Sequence, residues 1–127
     1  MNVLRVFALV VVFCCVTSAA WSNDIELSAS PGSKAGTINV SGTVTADAGW
    51  TPALIVPVSI WQDGCLLTTD NVTIMSVGCG KYTFNVDVGE GKLTSGATYN
   101  VTADETFTAV CQCPQVFRTQ PTTSKAQ

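Results

Sequence analysis

Histidine is absent from this 127-residue chain, and lysine and arginine together number six against nine acidic residues, giving a net charge of −3. Without an imidazole no side chain titrates unaided near neutrality, which excludes His-based hydrolytic triads, His-ligated zinc and imidazole proton shuttling. Six scattered cations are too few to displace the counterions of a polyphosphate, so nucleic acid is excluded as a partner. Long apolar runs are missing too. The longest, Val6–Val16, falls well short of the roughly 20 residues that span a bilayer, so no membrane span is expected. Nothing in the sequence sets two carboxylates across a cleft from one another, and the length suits one domain of ordinary size. No catalytic role, cofactor or metal is expected.

What is there begins with a leader. Arg5 precedes the apolar run, which ends in Thr17-Ser18-Ala19-Ala20. A cationic start, a short apolar core and small residues at Ser18 and Ala20 read as a signal peptide over residues 1–20, which predicts a secreted, extracellular protein. Cleavage there removes Cys14 and Cys15 and leaves Cys65, Cys79, Cys111 and Cys113. In an oxidising compartment those four are expected to form disulfides, with three possible pairings. On one extended strand Cys111 and Cys113 project about 7 Å apart from one face, beyond the roughly 3.5–4.5 Å between the Cβ atoms of a bridge. That geometry favours separate bridges to Cys65 and Cys79. The alternative joins Cys65 to Cys79 and strains a Cys111–Cys113 link ahead of Pro114. Three sequons, at Asn39, Asn71 and Asn100, fit the same compartment and predict a glycoprotein.

Beyond the leader the apolar residues recur with period two. Ile38, Val40, Val44 and Ala46 alternate with threonines, asparagine and serine; Tyr82, Phe84, Val86 and Val88 repeat the pattern, as do Ala97, Tyr99, Val101 and Ala103. Such alternation is the mark of strands with one buried face. Gly42 interrupts the first inward set and predicts a bulge or a close neighbouring backbone. Further strands are expected at 25–29, 55–62, 66–69, 72–77 and 107–113. Asp63-Gly64 predicts a tight hairpin between two of them, and Pro57 predicts an edge or a bulge. With turn signals between short strands and no helical period, the expected fold is all-β: an antiparallel two-sheet sandwich of about seven strands over residues 21–118. The polar segment 119–127 lacks apolar anchors and is expected to be disordered.

The segment Leu93-Thr94-Ser95-Gly96-Ala97-Thr98-Tyr99-Asn100-Val101, following Tyr82-Thr83-Phe84-Asn85-Val86, resembles one region of fibronectin type III and related immunoglobulin-like sandwiches. There a Leu six residues before a Tyr, with Gly three after the Leu, forms a tyrosine corner. The resemblance implies an immunoglobulin-like fold, with the Tyr99 ring buried between the sheets and its hydroxyl bonded to a backbone carbonyl just upstream. It spans residues 82–103 only. Val101 stands where antibody-type domains place a cysteine, so their inter-sheet bridge is not reproduced.

For function the sequence offers few surfaces. Trp50 and Trp61, with Gln62 and Asp63 beside the second, make a possible ligand surface suited to stacking a sugar. The blander reading fills the core with one indole and covers a sheet edge with the other. Asp87, Glu90, Asp104 and Glu105 have no calcium-loop spacing and read as a solvated acidic face. The expected function is a noncatalytic extracellular recognition or adhesion module whose partner is an extracellular protein or glycan. The alternative is a structural component of an extracellular or mineralised matrix.

Overall fold

The period-two pattern is realised as ten strands and no helix in the computed structural model, which describes residues 22–109 and 113–127. The proposed leader, Cys14, Cys15 and Cys111 lie outside the described residues. In chain order the strands are β1 (Asp24–Pro31), β2 (Ile38–Thr45), β3 (Trp50–Pro52), β4 (Ile55–Gln62), β5 (Cys65–Thr73), β6 (Met75–Gly78), β7 (Lys81–Val88), β8 (Thr98–Ala109), β9 (Gln115–Arg118) and β10 (Thr122–Lys125).

They form two antiparallel sheets. One has the order β1-β2-β7-β6, and the other runs β10-β8-β4-β5, with β3 and β9 also paired to β8. The inward residues of both meet in one core: Ile38, Val40, Val44, Val56, Val58, Ile60, Val101 and Phe107 have no exposed surface. Phe107 packs edge-on against Phe117, with ring centroids 5.4 Å apart. The chain is therefore an all-β antiparallel sandwich, as its alternation implied, though with more strands than about seven.

β8 is the spine of its sheet. Its first half lies between β4 and β10, and its second half between β3 and β9. On one side the partner is a single returning segment. Gln115–Arg118 ladder onto Phe107–Asp104, and after a one-residue slip Thr122–Lys125 ladder onto Val101–Thr98. The polar tail is thus corrected from disordered to ordered. Ser124 and Ala126 are buried, and Ala126 and Gln127 donate backbone hydrogen bonds to Ala97 and Thr37. Main-chain bonding to an adjacent strand needs no apolar pattern, so composition alone did not reveal it.

Three local expectations resolve differently. Asp63 and Gly64 both take positive φ, 52° and 79°, so the hairpin joining β4 and β5 has the twist-matched primed turn. At Gly42 there is no bulge: its pairing with Leu27 and Phe84 is regular, and the second expectation holds, since a Cβ there would lie 2.5 Å from both the Glu26 carbonyl and the Phe84 ring. Pro57 lies in an interior strand, not an edge, and the irregularity in the β4–β5 pairing falls between Ile60 and Trp61. The β8 ladder on β4 begins only at Val58, so no ladder position on that side is lost to the missing proline N–H.

Candidate functional site

Two irregularities in the β10-β8-β4-β5 sheet flank a concavity. On β5 an extra residue, Leu67, shifts the register opposite Trp61; on the other side of β8 the slip between β9 and β10 leaves Thr119–Pro121 off the ladder. Bulges of this kind re-aim side chains and open the sheet locally. Between them lies a cleft of about 260 Å³, lined by Trp61, Gly64, Asn100, Thr102, Arg118 and Pro121.

The Trp61 ring forms its wall and is held from two directions. Its Nε1–H donates to the Thr102 hydroxyl at 2.9 Å, and the Arg118 guanidinium sits 5.8 Å from its centroid, within cation–π range. Arg118 is itself fixed by a two-pronged pair with Asp104, at 2.7 and 3.0 Å. Directly across from Trp61 stands Asn100, its strand partner on β8. Thr102 and Arg118 were not singled out as ligand-surface residues by the sequence. Arg118 becomes visible only once β9 is recognised, and the pairing of β9 carries no sequence signal.

The possible ligand surface is divided by the structure. Trp61 lines the cleft, while Gln62 and Asp63 belong to the adjoining hairpin end and are not among its walls. Trp50 pairs with Ala109 at the other end of β8 and packs against the core, so the two indoles do not converge. The acidic residues are likewise dispersed. The Ser33 hydroxyl and amide donate to Asp87 and, with Asn39, hold its carboxyl below the usual carboxylate range. Glu90 faces Lys34 at 3.6 Å and Asp104 holds Arg118. Glu105 is corrected from the solvated face to the interior: it is fully buried beside Phe107, and neither carboxyl oxygen has a hydrogen-bond partner. Burial pushes its carboxyl up to about 7, against a partial pull downward from the nearby amides of Ala53 and Thr106. Among the described residues no three metal-ligating side chains gather.

A second surface runs along one side of the sandwich. β5 ends one sheet and β6 ends the other, and the two are consecutive through Ile74. Among the described residues, six of the seven exposed large apolar side chains lie at this edge or beside it: Leu54, Ile55, Leu66, Leu67, Met75 (71% exposed) and Val77 (61%). Across Cys65–Gly78 the sole charge is Asp70, whose carboxylate accepts from the Gly89 amide.

Cys65, Cys79 and Cys113 are exposed and unbridged. Cys65 pairs with Gln62 beyond the Trp61–Asn100 level, whereas Cys113 precedes Gln115, which pairs with Phe107. At least seven residues of β8 separate those levels, about 23 Å, so a bridge between Cys65 and Cys113 is corrected as out of reach in this fold. Cys79 lies at the Cys113 end: the Gly80 carbonyl accepts from Ala46, Asp47 bonds Asn23, and the Asn23 amide donates to Gln115. Of the sequon asparagines, Asn71 and Asn100 are exposed, and Asn39 is half-buried with its Nδ2 donating to Asn85 and Asp87. Tyr99 is buried, but its hydroxyl accepts from the Thr94 N–H at 2.8 Å instead of donating to a carbonyl. No protein-family model, curated protein or solved structure matches the chain.

Proposed function

We propose that the chain is a secreted, noncatalytic recognition module of immunoglobulin-like type that binds an extracellular protein along the β5–β6 edge. The observation that carries this reading is the exposed apolar edge. Sheet edges present unpaired N–H and C=O groups, and proteins ordinarily blunt them with lysines, prolines or inward charges. Residues 65–78 have none of the first two and one engaged aspartate. An extended segment of a partner adds there as a further strand, with main-chain bonds giving affinity and the Leu66, Met75 and Val77 side chains giving specificity. The leader-like run at Val6–Val16 and the three sequons support secretion. The buried Tyr99 with its bonded hydroxyl supports the immunoglobulin-like assignment. The noncatalytic reading rests on the absent histidine and on acidic side chains that are dispersed over the fold.

A photoreactive residue at Met75 in the full-length secreted protein, exposed to the medium of the cells that make it, tests this. The expected result is a saturable extracellular protein partner cross-linked at residues 65–78, with at least tenfold weaker binding for Met75→Lys/Val77→Lys at unchanged Tm. A saturable partner contacting only other faces, or turnover of a glycan or peptide substrate by the purified protein, would overturn it.

A further inference from the structure

We propose that Asn100 carries an N-linked glycan whose first N-acetylglucosamine seats on Trp61, so that the occupant of the cleft is the chain's own carbohydrate. This rests on the secreted reading above and concerns a different surface from the β5–β6 edge.

The geometry begins at the sequon Asn100-Val101-Thr102. Asn100 is exposed on the outer face of its sheet, and its Oδ1 accepts from the Thr123 hydroxyl at 2.9 Å. That bond orients the amide and leaves Nδ2 without a protein partner among the described residues, in contrast to the Nδ2 of Asn39, which is committed at 2.8 and 3.1 Å. Trp61 is the cross-strand neighbour of Asn100, and such neighbours have Cβ atoms about 5 Å apart. A pyranose attached at Nδ2 therefore emerges beside an indole.

The sequon threonine serves twice. A transferase reads it while the chain is extended; in the folded protein Thr102 is buried and its hydroxyl accepts from Trp61 Nε1 at 2.9 Å. The residue that licenses the glycan thus also fixes the ring that receives it. A sugar ring presents an apolar C–H face and a hydroxyl rim, which calls for an aromatic platform with donors at its border. Trp61 is the platform, and the Arg118 guanidinium, which spends Nε and Nη2 on Asp104, keeps its third nitrogen for the rim. The cleft, about 260 Å³, is smaller than sites that enclose a drug-sized ligand, roughly 300–1,000 Å³. One ring in so small a site binds weakly from solution. Tethering supplies an effective concentration on the order of millimolar, so the attached sugar fills the site where a free one does not.

The covalent step is the ordinary one and uses a lipid-linked oligosaccharyl pyrophosphate as donor. The sugar C1–O bond to the pyrophosphate breaks, the C1–Nδ2 bond of Asn100 forms, the amide gives up one proton, and the lipid pyrophosphate leaves with the bonding pair. No oxidant or reductant takes part.

The test is expression of the full chain in a glycosylating eukaryotic host, with site occupancy read by mass spectrometry after enzymatic deglycosylation in ¹⁸O-water. Isotope-labelled acetyl groups are followed by NMR on the intact glycoprotein. The expected result is occupancy at Asn100 and one N-acetyl methyl signal shifted upfield by the indole ring current. That signal is lost in Asn100→Gln and Trp61→Leu, retained in Trp61→Phe and unaffected by Asn71→Gln. Enzymatic removal of the glycan from the native protein lowers its Tm by a few degrees, and the drop disappears in Trp61→Leu. Three results overturn the inference alone: Asn100 bare in secreted protein, Asn100 occupied with no shifted methyl, or a shift that survives Trp61→Leu. Retention in the cytosol with all three sequons bare overturns it together with the secreted reading. Should Trp61→Leu fail to fold, Trp61→Phe and Asn100→Gln decide the outcome.

Discussion

Glu105→Gln isolates the energetic consequence of a carboxyl sealed in the core. Glu105 has no exposed surface and no partner for either oxygen, and burial raises its carboxyl from 4.5 to about 7. An acid whose folded value exceeds its unfolded one is a proton held preferentially by the native state. Its contribution is complete below about 4.5 and disappears as pH rises through about 7. At about 1.4 kcal/mol for each pH unit separating the two values, the loss across that window is about 3 kcal/mol. There is no histidine to titrate across that window, and the carboxyl of Asp87, held low by the hydrogen bonds from Ser33, acts in the opposite sense at more acid pH. Urea unfolding from pH 5 to pH 8 reads the effect as a falling midpoint at constant slope. Glutamine keeps the shape and cannot ionise. Glu105→Gln is therefore expected to match the native protein near pH 5 and to exceed it by about 3 kcal/mol at pH 8. Parallel profiles for the two proteins, or a native protein that gains stability from pH 5 to pH 8, would refute the reasoning.

Tyr99→Phe removes the acceptor of the Thr94 amide and should cost about 1 kcal/mol, read as a drop in Tm; no drop would mean that the bond contributes nothing. Gly42→Ala forces a methyl against the Glu26 carbonyl and the Phe84 ring. It should cost about 1–3 kcal/mol by denaturant unfolding, the range of an overpacked core. Arg118→Ala breaks an exposed pair with Asp104 and should leave the unfolding midpoint nearly unchanged, as surface pairs screened by solvent do, while quench measurements show Trp61 more accessible. Non-reducing peptide mapping is expected to link Cys79 to the peptide holding Cys111 and Cys113, with no Cys65–Cys113 bridge.

The sandwich was legible because its core strands obey period two: Ile38, Val40 and Val44 in β2, and Tyr99, Val101 and Ala103 in β8, point inward as their alternation requires. The same rule carried two residues further would have placed Glu105 inside with Phe107. Its charge argued for solvent, and the inward parity prevailed because β8 runs unbroken from Thr98 to Ala109. β10 was illegible for another reason. Thr122–Lys125 carries no apolar face, and its order comes from ladder bonds to β8, which belong to the backbone and leave no mark on composition. Of the cleft, Trp61 and the Asn100 sequon could be read in advance, but their juxtaposition could not. It depends on which strand lies beside β4, and β8 is 39 residues further along the chain at its nearest bonded approach, Trp61 to Asn100.

Because four other strands bond to β8, it behaves as a shared rail. Tension applied along it is met in shear by ladders on both flanks, so the strand resists extraction lengthwise while the outer strands β5 and β6, each bonded on one side, can peel one bond at a time. Amide exchange should follow the same order, slowest through Val101–Ala103 and fastest along Met75–Gly78. A partner that adds to the β5–β6 edge would bring the most easily detached border of the sandwich into a continuous ladder, so that engagement and mechanical reinforcement coincide.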